Sequence, residues 1–222
     1  MTENDGDITD NVMISIITHE SIKASTVQWL CDMAYVGYTV DVVHTPSLIE
    51  HQRNTQVKRF LTGTSFKYLF MLDSDTLPHL DTIEELYKHR RDKVVMVAPC
   101  LMYDANMRVH PMAFMRMGEN QKSPYSPMYH GRGIHEIKGA GMTGALLPRE
   151  LLEEMEPPWF RMEHDKEGML ILTEDFYFWR KVENMGWRIK ANLDIVADHL
   201  KPLWLSGMPA PTIANVTIPQ NV

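Results

Sequence analysis

The chain has little cysteine and no excess of positive charge, and none of its apolar runs is long enough to cross a bilayer. Cys31 and Cys100 are the only cysteines in 222 residues, too few for a disulfide framework. Both sit in apolar stretches and are expected to be buried thiols. A formal net charge of −7 argues against a broad nucleic-acid face, which needs clustered Lys and Arg, but leaves room for a local basic groove. The short apolar runs give no reason to expect membrane insertion. The start, Met1 to Asp7, is acidic and polar rather than leader-like, so a cytoplasmic location is expected, the host cytoplasm if the gene is phage-encoded. There are no internal repeats and no low-complexity tract. Glycine-rich phosphate loops are also missing. Gly139-Ala140-Gly141-Met142-Thr143-Gly144 is not followed by Gly-Lys-Ser/Thr, and it does not lie in a first strand-helix unit.

What is present suits one well-buried domain: 44% hydrophobic and 23% charged residues. The 17 methionines carry no functional message beyond adaptable packing. Residues 1–10 read as a disordered tail, 11–205 as a single domain, and 206–222 as a C-terminal tail. Strands are expected at Val12–Thr18, Tyr38–His44, Lys67–Leu72 and Lys93–Ala98. Helices are expected between them: Ser21–Tyr35 with Ser21 as N-cap, a second from Pro46-Ser47 to about Leu61, and a third from about Leu80 to His89. Strand-helix alternation implies a mostly parallel sheet with helices on both faces. Ligands of such sheets bind beyond the carboxyl ends of the strands, where Thr18-His19-Glu20, Asp41 to Thr45 and Asp73 to Asp75 fall. Residues 99–135 lose periodicity, with a strand expected near His110–Arg116 and a loop over Gln121–Gly133. Beyond them come a Gly-rich strand region to Leu147, a short helix Pro148–Met155, a polar loop Arg161–Leu170, and a helix Thr173–Met185 closed by Gly186. Short strands are expected at Trp187–Ile189 and Asp194–Ala197.

Four clusters carry chemistry. The apolar run Tyr68 to Leu72 ends in Asp73-Ser74-Asp75, two carboxylates one residue apart. Their repulsion is offset by a hard divalent cation, by Asx-type turn bonds, or by capping of the next helix. Glu174 and Asp175 follow a candidate N-cap, Thr173, and head an aromatic helix; they read either as acids favoured by the helix dipole or as a rigid general base. His199 can complete a metal site that one Asp leaves open, and Lys201 can offset phosphate charge. The glycines at 139, 141 and 144 read as bulges and turns, or as places where a bulky ligand approaches the backbone.

Taken in chain order, Asp73-x-Asp75, then the Gly-rich strand, then Glu174-Asp175 heading an aromatic helix, then His199, the four clusters resemble the GT-A glycosyltransferases, in particular a soluble family-2-like branch found in phages and bacteria. The likeness covers about residues 12–201 and includes Arg53-Asn54 ahead of the DxD motif, and Arg180, Gly186 and Trp187 after Glu174-Asp175-Phe176. It implies a Rossmann-like GT-A fold with a small antiparallel acceptor-side sheet. Residues 11–98 would then form the nucleotide-sugar-binding half, and 99–205 the acceptor half. The donor would be a nucleotide-diphosphate sugar, with UDP the expected nucleotide, bridged by Mn²⁺ or Mg²⁺. Asp75 and His199 match the metal ligands, with Asp73 shared between the metal shell and the ribose. Thr18, Glu20, Asp41, Arg53 and Asn54 match the donor-lining positions, which Ser74, Gly141 and Lys201 extend. Asp175 matches the catalytic base of inverting members, assisted by Glu174. The acceptor hydroxyl would belong to a hydroxymethylated phage DNA base, a protein or a small molecule. A DNA acceptor would require Lys122, Arg132, Lys138, Arg161 and Lys166 to form one groove. A nucleotidyltransferase and a non-catalytic nucleotide-sugar-binding module are the alternatives.

Overall fold

The structure, a computed structural model, describes residues 6–104, 106–116 and 125–201. In chain order the elements are β1 (Val12–Thr18), α1 (Ala24–Tyr35), β2 (Thr39–His44), α2 (Ile49–Gly63), β3 (Tyr68–Asp73), β4 (Thr76–Leu77), α3 (Thr82–Lys88) and β5 (Val94–Val97). Then come β6 (Leu101–Tyr103), β7 (Val109–Pro111), β8 (Ala113–Arg116), β9 (Tyr125–Pro127), β10 (Ile134–Ile137), β11 (Gly139–Ala140), β12 (Ala145–Pro148) and α4 (Arg149–Glu154). The chain continues through β13 (Glu163–His164), β14 (Leu170–Leu172), α5 (Glu174–Asn184), β15 (Arg188–Asn192) and β16 (Asp198–His199).

The central sheet has seven strands in the order β10-β15-β5-β12-β3-β1-β2. β1, β2 and β3 run parallel, as do β5 and β15, while β12 and β10 run against their neighbours. Five of seven strands thus share one direction, and small antiparallel sheets surround them. The α/β class and mostly parallel sheet expected from the sequence are what the chain forms. β12 sits antiparallel between β3 and β5, so it starts where they end. The segment before it, Met142-Thr143-Gly144, is thereby carried onto the rim at the carboxyl ends of the parallel strands.

Alternation along the strands separates two cores. Met13, Leu69, Met71, Val95 and Val97 pack with α2, α4 and α5 through Val57, Phe60, Leu151, Phe178 and Trp179. Val12, Ile14, Ile16, Phe70 and Leu72 pack with α1 and α3 through Trp29, Leu30, Ile83 and Leu86. By the same period of two, Asp73 continues the series Leu69, Met71 and emerges on the α2/α5 face.

Several local expectations are corrected. Ile8–Asp10 form a 3-10 turn begun by Asp7, whose carboxylate accepts from the Thr9 amide, so 6–10 are not an unstructured tail. Residues 1–5 lie outside the described set, as do Lys122 and the tail beyond Lys201. Lys23, not Ser21, occupies the N-cap of α1. The strand expected over His110–Arg116 breaks at Met112 into β7 and β8, in different sheets. Within the expected loops, 125–127 form β9 and Glu163–His164 pair with β14. Residues 194–197 form no strand; Ala197 only bridges Cys100. Cys100 is buried as expected, but Cys31 falls on the outer face of α1 and is exposed. No helix among the described residues is long and apolar enough to cross a membrane.

Candidate functional site

The Asp73-Ser74-Asp75 turn is held from below by buried hydroxyls. The Thr76 hydroxyl donates to the Asp73 carbonyl at 3.0 Å and lies 2.8 Å from the Thr143 hydroxyl. Having spent its proton on Asp73, Thr76 accepts from Thr143, and Thr143 in turn accepts the Asp73 amide at 3.3 Å. The three bonds close a ring on Asp73's own N–H and C=O. Thr26 on α1 donates to the Thr76 carbonyl at 2.8 Å, and the Lys23 amide bonds the Ser74 carbonyl. Sequence reasoning missed Thr143, although its place in the Gly-rich segment was in view. The antiparallel insertion of β12, which no local pattern shows, puts it here.

His199 reaches Asp75 across 124 positions of sequence. The device is a two-residue ladder: β16 pairs antiparallel with β4, His199 opposite Thr76, and the Leu200 amide bonds the Asp75 carbonyl at 2.8 Å. His199 Nε2 lies 3.2 Å from Asp75 Oδ2, and Lys201 Nζ lies 3.4 Å from the same oxygen. On the far side of the ring, Nδ1 is 2.9 Å from the Leu101 carbonyl. A carbonyl only accepts, so Nδ1 carries the proton and Nε2 is the atom offered to Asp75. In the doubly protonated ring this is an ion pair. In the neutral ring a lone pair and a carboxylate face one another, which is how imidazole and carboxylate share a divalent cation. Burial pushes the Asp75 carboxyl up, but His199 and Lys201 together hold it below the usual carboxylate range.

A second cluster forms on the α2/α5 face. Arg53, with a side chain only 2% exposed, places Nη2 3.1 Å from Asp73 Oδ1. Its Nε lies 3.6 Å from Glu174 Oε1 and 3.4 Å from Asp175 Oδ1. α2 aims it there because Gln52, Arg53, Gln56, Val57 and Phe60 share its buried face, and Gln56 donates to the Ser15 carbonyl at 2.8 Å. Glu174 and Asp175 occupy the first turn of α5, as expected; Thr173 is the N-cap, but its hydroxyl makes no capping bond. Trp179 anchors the helix by donating to the Ala140 carbonyl at 2.7 Å. Burial drives the Asp175 carboxyl well above its usual range. Arg53 pulls it down, and the Glu174 and Asp73 charges push it further up. Asp175 keeps 18% of its side chain exposed against 7% for Glu174, so it is the more accessible of the two.

The remaining candidates fall outside these clusters. Asp73 turns toward Arg53, and the described residues hold no group of three or more His, Cys, Asp or Glu side chains set for a metal. The ligand set with Asp73 in it is therefore not preassembled; Asp75 and His199 are the two donors brought together. Thr18 ends β1, buried, with no hydrogen-bond partner for its hydroxyl among the described residues. Glu20 is exposed beside His19. Asp41 lies inside β2 rather than at its end, bonded by Ser15 at 3.2 Å and Arg59 at 3.1 Å. Asn54 is fully engaged: its amide donates to the Glu50 and Phe160 carbonyls, and its oxygen accepts from the Trp159 and Phe160 amides. It fastens 159–160 onto α2. Of the expected DNA groove, Lys138 is paired with Glu183 at 2.9 Å. The glycines are explained by protein packing. A Cβ at Gly139 would fall 2.6 Å from Phe176, one at Gly141 2.1 Å from Met112 Sδ, and one at Gly144 (φ +77°) 2.1 Å from the Ala98 carbonyl oxygen.

No protein-family description matches the chain, and no curated protein matches it significantly. Solved structures do match. A197 from STIV is similar with a TM-score of 0.60 at 18% identity, over 86% of both chains, which shows a shared fold. GalNAc-T7, solved with UDP, GalNAc and Mn²⁺, aligns at 0.49 and 10% identity over 87% of this chain and 44% of its own. TarS 1–349 of S. aureus aligns at 0.43 and 13%, over 85% and 60%.

Proposed function

We propose that the protein is a GT-A-type glycosyltransferase that moves a sugar from a nucleotide-diphosphate donor, with UDP the expected nucleotide, to an acceptor hydroxyl. The observation that carries this reading is the meeting of Asp75 and His199 at 3.2 Å, on the same rim as the Glu174-Asp175 pair. The donor set fits Mn²⁺ or Mg²⁺. One carboxylate and one imidazole with its far nitrogen on a carbonyl would hold part of such an ion's shell and leave positions open for diphosphate oxygens. Bound there, such a cation would neutralise charge on the departing diphosphate. Lys201, beside Asp75, adds positive charge for the same phosphates. Thr18, with its unpartnered hydroxyl at the end of β1, offers the nucleotide a hydrogen bond.

Asp175 is the candidate base. Its accessible carboxylate, with affinity for a proton raised by burial and by Glu174, takes the proton of the acceptor hydroxyl as that oxygen attacks the anomeric carbon. Attack from the face opposite the diphosphate inverts the configuration. The acceptor, whether a hydroxymethylated DNA base, a protein or a small molecule, enters from the side of the small sheets.

The test is hydrolysis of a panel of UDP-sugars with Mn²⁺, comparing wild type with Asp75→Ala and His199→Ala. Metal-dependent release of UDP that falls at least about 100-fold in both variants supports the reading. A wild type that hydrolyses no nucleotide-sugar and shows no Mn²⁺-plus-UDP shift in melting temperature sinks it. Release of pyrophosphate from a nucleoside triphosphate would point to nucleotidyl transfer instead.

A further inference from the structure

Arg53 matches a nucleotide-lining position, yet its guanidinium is buried and points at three carboxylates. Resting on the glycosyltransferase reading, we infer that Arg53 is a positioning residue that ties the donor-side turn to the candidate base. Asp73 belongs to the turn that carries Asp75, and Glu174 and Asp175 begin α5, a hundred residues later. Arg53 touches both through different nitrogens: Nη2 to Asp73 at 3.1 Å, and Nε to Asp175 at 3.4 Å and Glu174 at 3.6 Å.

The geometry suits a shared spacer better than a one-partner clamp. A bidentate Arg–carboxylate fork shows two bonds of about 2.7–2.9 Å to one acid. Here no acid receives such a fork, and neither Nε nor Nη1 makes a hydrogen bond within the described residues. Nη2 donates one hydrogen bond, to Asp73 Oδ2 at 3.3 Å, and the guanidinium meets Glu174 and Asp175 by charge alone. It offsets one of three negative charges, so the two ends of the site are joined through a single cation.

α2 makes this link rigid. One residue after Arg53, Asn54 binds the 159–160 backbone at both its amide and its oxygen. Phe160, so fixed, stacks on Phe178 of α5 at 4.8 Å with the rings 8° apart. Toward the sheet, Gln56 holds the β1 backbone at Ser15. α2 is therefore a strut with one attachment to the strand layer, through Gln56, and one to the segment packed on α5, through Asn54, and Arg53 lies on the same turn as both. A buried group in that place sets where Asp175 lies relative to the turn. It has no exposed face with which to meet a uridine.

Lysine keeps the charge but lacks the planar fork, and separates the two functions. In UDP-sugar hydrolysis with Mn²⁺, Arg53→Lys is expected to leave KM for the UDP-sugar within about 3-fold while kcat falls by 30-fold or more, the signature of a lost transition-state arrangement rather than lost ground-state binding. Asp175→Asn is expected to lower kcat further and to make Arg53→Lys nearly silent in its background. A raised KM with unchanged kcat would return Arg53 to the nucleotide pocket and overturn the inference, as would unchanged kinetics.

A stability cycle reads the same link without turnover. In urea, Arg53→Met leaves buried acids uncompensated and is expected to raise the unfolding constant by at least roughly 100-fold. Adding Asp73→Asn or Asp175→Asn to it should each recover part of that loss. Strictly additive effects in both pairs would refute a shared cation. A wild type inactive on every UDP-sugar defeats the glycosyltransferase reading, and with it the base-positioning role. An active wild type matched by Arg53→Lys defeats this inference alone.

Discussion

Thr143→Val tests whether the ring of three hydrogen bonds holds the Asp73-Ser74-Asp75 turn. Valine matches threonine in shape, so no cavity forms and the change is confined to the hydroxyl. Two bonds disappear: the one Thr143 accepts from the Asp73 amide at 3.3 Å and the one it shares with Thr76 at 2.8 Å. Thr76 keeps its bond to the Asp73 carbonyl and loses only an incoming donor. The larger penalty is the Asp73 amide, left without a partner beneath a side chain that is 2% exposed. An orphaned buried donor costs about 1–3 kcal/mol, and the lost hydroxyl pair adds about 0.5–1.5 kcal/mol. The central expectation is about 2–3 kcal/mol. For a domain of this size that is roughly 4–12 °C in melting temperature.

Urea unfolding followed by fluorescence, with unchanged m, measures it. Thr143→Ser is the control. It keeps the hydroxyl and loses one buried methyl, worth about 1 kcal/mol. The hydrogen-bond ring therefore requires Val to be worse than Ser, although Val preserves the volume. If Val is within about 0.5 kcal/mol of wild type, or Ser is the worse of the two, the ring is not what holds the turn. The same variants carry a functional reading. A loosened turn should weaken Mn²⁺-plus-UDP stabilisation in Thr143→Val and leave it in Thr143→Ser.

The glycines give a second contrast. Gly144→Ala places a methyl against the Ala98 carbonyl at a positive φ and should cost roughly 3 kcal/mol or more, whereas the Met112 side chain at Gly141 can swing away, so Gly141→Ala should cost about 1 kcal/mol in the same urea assay. The thiols give a third: native protein should react with one equivalent of a disulfide reagent at pH 8, through exposed Cys31, and with two after unfolding, because burial pushes the Cys100 thiol up to about 12. A fast second equivalent in native protein would contradict the burial of Cys100. The pH dependence has two opposed arms. Asp75, held below its usual range, favours the folded state above that range and loses its contribution as pH falls through its native value. Asp175, held above it, contributes at acid pH and loses that contribution as pH rises through its native value. Asp175→Asn should accordingly be more stable than wild type at pH 7–8 by more than about 0.5 kcal/mol, and Asp75→Asn less stable; equal urea midpoints would refute both directions.

How much of this was legible follows from the range over which each signal acts. β1, β2, β3 and β5 fall within a residue of their expected bounds, because each is a short run of mostly apolar residues bounded by polar or turn residues. The Asp73-Ser74-Asp75 turn was legible on the rim because it ends a strand of the alternating half; Glu174-Asp175 were legible as the start of a helix, while His199 was tied to the turn only by the family resemblance. What was not legible is which side of an element a polar residue faces when a distant partner decides it. Arg53 and Asn54 are adjacent on one helix and suggested one shared role. The structure gives Arg53 to three acids and Asn54 to the backbone 105 positions on. The glycines misled in the same way. Local sequence shows that a small residue is tolerated, and only the fold shows that Met112, Phe176 and the Ala98 carbonyl, not a ligand, fill the space. Asp73 is the sharpest case, since its spacing from Asp75 suggests a common cation. The strand's alternation sends it to the α2/α5 face, where a buried arginine already meets it. The site therefore separates into a pair at the turn, Asp75 with His199, and an acid cluster gathered on Arg53. One turn joins them, and the hydroxyls of Thr76 and Thr143 fix its backbone.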